Sequence, residues 1–147
     1  MKRFSVVVAG LALVIGAMTA PALAVPYEPA NGVILLRNET NEFLKVTEIR
    51  HMVGSLPGIV IDRDLTIPPG KFIYANRCCY AAGSVYRVSF TYPSGAENKT
   101  GLLPITMGIG PLGCQMLGAP VAASDEVRFT RTKTGEIQGF DAGRLCK

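Results

Sequence analysis

Past its first two dozen residues this chain has no amphipathic stretch long enough to make a helix, and apolar residues recur instead with a period of two or in short runs. The cleanest segment is Ser84 to Tyr92. Tyr86, Val88, Phe90 and Tyr92 alternate there with Arg87, Ser89 and Thr91. Successive strand side chains point to opposite faces, so the pattern predicts one apolar and one polar face. Pro93-Ser94-Gly95 closes the segment with turn residues. Shorter runs with β character follow the same punctuation: Val33 to Leu36, Phe43 to Met52, Gly58 to Ile61, Lys71 to Arg77 and Gly101 to Ile109. Near the end, Glu126 to Thr132 and Glu136 to Phe140 flank Thr132-Lys133-Thr134-Gly135, which suits a hairpin with a bulge. Val127, Phe129 and Ile137 are expected to face inward, and Arg128, Thr130 and Thr132 outward. A lone sheet would leave an apolar face wet. The expected fold is therefore all-β: a small antiparallel β-sandwich, or short barrel, of about seven strands.

The excluded first segment is a leader. Lys2 and Arg3 precede an uncharged, mostly apolar run from Phe4 to Met18, and Ala22-Leu23-Ala24 then supplies the small-x-small pattern that signal peptidase reads. Residues 1–24 are expected to be a cleaved signal peptide and residues 25–147 a single domain, periplasmic or secreted. Removal of Lys2 and Arg3 lowers the net charge from +4 to +2. The remaining basic residues are scattered, which argues against a nucleic-acid partner.

All four cysteines, Cys78, Cys79, Cys114 and Cys146, lie beyond the leader. In an oxidising compartment an even count predicts two disulfides. Cys78 and Cys79 are adjacent, so on a strand they point to opposite faces, and each is expected to reach a different partner, Cys114 or Cys146. Zinc is not expected, because the chain has no Cys-x-x-Cys spacing and His51 is its sole histidine.

Reaction chemistry is sparse. No nucleophile elbow, phosphate-cradling loop or haem motif accompanies His51, so no catalytic residue, cofactor or metal is expected. Asp62 and Asp64, and likewise Asp125-Glu126, are read as solvated charges at strand edges, and Arg128, Arg131 and Lys133 as an edge-strand solubility device. Asn38-Glu39-Thr40 and Asn98-Lys99-Thr100 match the glycosylation pattern but are read as turn asparagines. The rhythm of Asn-x-Thr, a β-rich stretch, and Ile67-Pro68-Pro69-Gly70 before another strand is similar to many small secreted β-sandwiches, some membrane-active toxins among them.

One segment stands apart. Thr100 to Ser124 carries no charge across 25 residues, yet Pro104, Pro111, Pro120 and five glycines break any helix. A strand followed by a long loop tied down by Cys114 is expected. Long ordered loops in compact domains often carry function, which singles out Ile109, Leu112, Met116 and Leu117 as a binding surface. The resulting expectation is an exported, non-enzymatic binding or accessory domain that contacts a protein or another envelope component. An inhibitor of a secreted hydrolase and a peripheral membrane binder using loop 101–123 are the alternatives, and the oligomeric state stays open. Intact-mass measurement of the exported protein should give a chain starting at Val25, lighter than the reduced chain by the hydrogens of two disulfides. A form retaining Met1 would contradict the compartment.

Overall fold

The computed structural model describes residues 32–75, 80–109, 115–116, 119–120 and 123–145. Eleven strands occur among them and no helix: β1 (Gly32–Asn38), β2 (Leu44–Val53), β3 (Leu56–Ile67), β4 (Phe72–Ala75), β5 (Val85–Ser94), β6 (Glu97–Thr106), β7 (Gly108–Ile109), β8 (Gln115–Met116), β9 (Ala119–Pro120), β10 (Ala123–Arg131) and β11 (Ile137–Gly143). Nine of these build two sheets. One runs β11-β10-β1-β4, with β7 also paired to β10, and the other runs β3-β2-β5-β6. The two-residue strands β8 and β9 pair only with each other. The all-β expectation holds, but about seven strands was too few. The sequence reading merged β6 and β7 into one run and had no signal for two-residue pairs.

The first sheet departs from the expected antiparallel pattern at one place. β1 runs parallel to β10, from Gly32 opposite Ala123 to Asn38 opposite Phe129, and antiparallel to β4. Parallel neighbours cannot be joined by a tight turn. Nearly the whole domain lies between these two strands in the chain, which is why no local pattern announced the pairing.

The inner faces of the two sheets share one core. Tyr86, Val88, Phe90 and Tyr92 are all buried, as are Val127, Phe129 and Ile137, so both alternation patterns assign the faces correctly. Phe90 of β5 meets Phe129 of β10 edge to face at 4.9 Å between centroids, one ring from each sheet. Opposite Phe90 in β6 stands Gly101. A Cβ there would lie 2.2 Å from the Phe90 ring, so only glycine leaves space for it.

Two buried polar devices hold β1. At its far end Asn38 is 1% exposed, and its Nδ2 donates to the carbonyls of Glu42, Ile67 and Pro68 while its Oδ1 accepts from the N–H and hydroxyl of Thr40. The turn asparagine read from the sequence is thus a buried clamp joining β1 to the end of β3, with no amide hydrogen left facing solvent. At the near end Gly32 lies beneath fully buried Tyr80, and an added Cβ would collide with the Tyr80 backbone and Cβ.

The edges are blunted in different ways. β4 has four residues, and β3 carries Pro57 and the left-handed Asp64 (φ 54°). Short strands, proline and local kinks all discourage edge-to-edge pairing. Lys99 of β6 reaches Glu136 beside β11 at 3.3 Å, tying the sheets along the other side.

Asn38→Ala should lower unfolding free energy by about 2–3 kcal/mol, because carbonyls buried at the β1–β3 junction lose their donor. Phe90→Ala should cost about 3–5 kcal/mol and Arg87→Ala less than about 1. Urea titration of the three variants tests both assignments.

Candidate functional site

Ile109 is the one residue of the expected binding surface whose side chain falls within the described residues. It is 67% exposed at the end of β7, and its carbonyl accepts a hydrogen bond from Arg144 Nη1 at 3.0 Å. Leu112, Leu117, the Met116 side chain and all four cysteines lie outside the described residues. Backbone hydrogen bonds of Met107 with Gly83 and Ser84 bring the start of β7 beside the start of β5, and sheet register then shows what else occupies this end of the molecule. Ile109 pairs with Ala123 at the start of β10, Val53 pairs with Leu56 across the β2–β3 turn, and Met52 pairs with Val85 at the start of β5. Val53 (60%), Leu56 (68%) and Ile59 (65%) are exposed around that turn, and Val85 beside them is partly so. Single exposed apolar residues are ordinary, whereas a concentration at one end is the kind of surface that marks a contact site. Sequence reasoning found Ile109 through the uncharged stretch but passed over the β2–β3 tip. The signal there was visible: Val53, Leu56 and Ile59 flank a Gly54-Ser55 turn with no charge among them.

Behind this end lie buried polar groups that were expected in solvent. Asp62 is 2% exposed and accepts a hydrogen bond from the Tyr80 hydroxyl at 2.5 Å. The Tyr86 hydroxyl accepts from the Ala81 N–H at 2.7 Å, and the Tyr86 ring touches both Tyr80 and His51. The two-residue spacing misled the sequence reading about Asp62 and Asp64. The left-handed Asp64 interrupts the alternation along β3, so Asp62 faces the core and Asp64 faces Lys45 at 3.0 Å in solvent.

Asp125 and Glu126 are buried as well, because β10 is a central strand between β1 and β11 rather than an edge. Asp125 shares the inner face with Ile34 and Val127. Burial, together with a hydrogen bond to Asp141 and the charge of that carboxylate, pushes its pKa up to about 8. Its Oδ2 has no hydrogen-bond partner among the described residues. Asp141 in turn accepts from the Gly143 N–H. Asp125 therefore keeps its proton at neutral pH. Asp125 is closed off from solvent, and no group of three or more metal-binding side chains occurs among the described residues.

Arg128 and Arg131 likewise belong to a central strand, which corrects the edge-strand reading. Arg131 reaches Asn41, Glu42 and the Gly135 carbonyl. Arg128 pairs with Glu126 on the outer face, where Glu126 Oε1 accepts from Arg37 Nε at 2.9 Å and Arg128 Nε at 3.0 Å. Burial opposes ionisation of Glu126, but these two hydrogen bonds outweigh it and hold its carboxyl below the usual range. On the outer face of the other sheet, Arg50 clasps Glu48 through Nε and Nη2, each at 3.0 Å, with Arg87 Nη2 at 3.8 Å.

The chain matches no protein-family model and no curated protein.

The raised Asp125 pKa has a definite consequence. Between the unfolded carboxyl value of 3.8 and about 8, the folded state holds a proton that the unfolded state lacks. Stability should thus fall as pH rises through that window and level off above it. Urea midpoints should decline from pH 5 to pH 8 in the native protein and stay flat in Asp125→Asn.

Proposed function

We propose that this protein is an exported, non-enzymatic binding domain whose contact surface is the apolar end formed by the β2–β3 tip and Ile109. The observation that carries this reading is the exposure of Val53, Leu56, Ile59 and Ile109 together at one end of a two-sheet scaffold. Three features support it. Side chains on a hairpin held by a sheet lose little further freedom on binding, so their burial is retained as affinity. Asp62, Asp125 and Tyr86, behind this end, are buried in the core rather than gathered around an open cleft. The leader places the domain where a folded partner or a membrane surface is the available contact.

The reading includes two disulfides that tie this end together. Tyr80 follows Cys79 in sequence and packs on Gly32, while Leu145 precedes Cys146 and donates its N–H to Ser124 Oγ at 3.2 Å. Ile109 precedes the segment leading to Cys114 and pairs with Ala123. These anchors converge at the first residues of β1 and β10, where Gly32 and Ala123 are in register. Closure of loops of this span contributes about 3–4 kcal/mol each in the chain-entropy model.

Peripheral membrane binding is the second reading, and the same exposed side chains favour it. Leu56→Asp and Ile109→Asp should each leave the circular-dichroism spectrum and melting temperature nearly unchanged. Each should also weaken capture of the native envelope partner at least tenfold, since a few apolar anchors carry most interface energy. His51→Ala should change capture little, because no proton transfer is involved. Flotation with vesicles in place of protein capture, lost in the same variants, would decide for the membrane. Retention of both activities in both variants would overturn the proposed surface.

A further inference from the structure

A second surface lies on the outer face of the β11-β10-β1-β4 sheet, away from the apolar end. Strand register lines up four residues in a transverse row: Phe140 opposite Arg128, Arg128 opposite Arg37, and Arg37 opposite Phe72. Their inward neighbours Leu36, Asn38, Val127 and Phe129 are all buried, which sends the row outward. Both rings are exposed, Phe72 at 48% and Phe140 at 39%. The Arg37 guanidinium sits 5.2 Å from the Phe72 ring centroid, and Tyr74 meets Phe72 edge to face at 5.6 Å.

Two like charges directly opposite on neighbouring strands repel one another. Glu126 relieves this by taking an Nε hydrogen bond from each arginine. Neutralisation explains Glu126 but leaves features over. Arg37 spends only its Nε, and its two terminal amines have no acceptor among the described residues. Within the row one carboxylate faces two guanidiniums, and Glu39 offsets the excess on the Arg128 side, so the positive charge left over sits at Arg37. Phe72 takes the Arg37 cation on its face, Phe140 has no such contact among the described residues, and both rings lie outside the core.

We propose that this row is a docking site for an extended acidic peptide segment of a protein partner. A carboxylate would take the two terminal nitrogens of Arg37 and Nη1 of Arg128, whose Nε and Nη2 are held by Glu126, and apolar side chains would pack on Phe72 and Phe140. The spacing fits. Three inter-strand steps separate the two rings by roughly 14 Å, the length of about four extended residues. A segment with aromatic residues four apart and an acidic residue midway puts all three side chains on one face of an extended chain and so matches the row in both charge and length. Nucleic acid matches less well, because the row offers two arginines around an internal glutamate, with Glu39 close enough to favour the charged form of Arg128. A lipid surface would need a protruding apolar element, whereas this row lies across a four-stranded sheet face. The site is separate from the apolar end, so either can fail without the other.

The test is fluorescence anisotropy with a labelled peptide of sequence Gly-Gly-Phe-Asp-Glu-Ser-Phe-Gly-Gly, whose two rings and glutamate share one face when extended, against the mature protein. Binding on the order of 100 µM is expected for so small a contact, weakening as salt rises. Its amide counterpart with Asn and Gln should not bind. Arg37→Gln should weaken binding about tenfold, and Phe72→Ser several-fold, with Leu56→Asp at the other end unaltered. Phe72 is exposed on an edge strand, so its variant tests the row even if the arginine variant loses stability. Absence of binding at millimolar peptide would overturn the proposal. So would binding indifferent to both variants, or displacement of the peptide by a duplex oligonucleotide or phosphatidylglycerol vesicles at lower concentration than by unlabelled peptide.

Discussion

The parallel pairing of β1 with β10 is the contact on which the rest of this domain depends. β1 fills the slot between β10 and β4, so without it the first sheet divides into a β10–β11 hairpin and a stray four-residue strand. Isolated hairpins are marginal in water, and their inner faces would have nothing to bury. The slot is specified at both ends. Gly32 admits the buried Tyr80 at one end, and Asn38 saturates its amide against three carbonyls at the other. Between them Ile34 and Leu36 point into the core while Val33 and Leu35 are buried on the opposite face. A strand buried on both faces is read as a continuous apolar run, and Val33-Ile34-Leu35-Leu36 is such a run.

The order of assembly follows from the same contact. β2 with β3, β5 with β6, and β10 with β11 are hairpins of neighbouring strands that close short loops. The β1–β10 pair closes a loop spanning most of the chain, and loop-closure entropy is lost before such a contact returns anything. The hairpins can therefore form locally, while the first sheet waits for the two ends of the domain to meet. Two devices reduce that difficulty, since Asn38 and Tyr80 join β1 to segments of the middle of the chain, the end of β3 and the residues before β5.

What was legible in the residues divides along the same line. Alternation in β5 and in β10–β11 named the core correctly, because a period-two pattern is local and each strand carries it alone. The misreadings concern polar residues, whose placement depends on partners far away in sequence. Asp62 reads as solvated until Tyr80 is brought against it, and Asp125 does so until β1 and β11 flank β10. Asn38 looks like a turn asparagine, and it does stand where a turn begins, but its burial comes from the end of β3. For the candidate surfaces the split is similar. Ile109 was visible through the missing charge around it, whereas the Phe140-Arg128-Arg37-Phe72 row comes from four strands and exists only in the register.

Charge is distributed over the two outer faces by one recurring rule. On each, a single glutamate gathers the guanidinium groups that strand pairing forces together: Glu126 between Arg37 and Arg128, and Glu48 beside Arg50 and Arg87. Arg50 spends two of its donors on Glu48 and Nη1 on the Gly58 carbonyl. That arginine is engaged on three nitrogens and braces the twisted end of β3, where the register shifts twice. Arg37 spends one nitrogen and lies against an exposed ring. The two faces use the same residue types and differ in how much hydrogen-bonding capacity the fold consumes. Donors bound within a sheet stiffen it, and donors left at its surface are what a partner can use. By that criterion Arg37 keeps both terminal nitrogens for a ligand, and the strand pairing that holds the fold together also sets the spacing of the guanidiniums that would meet it.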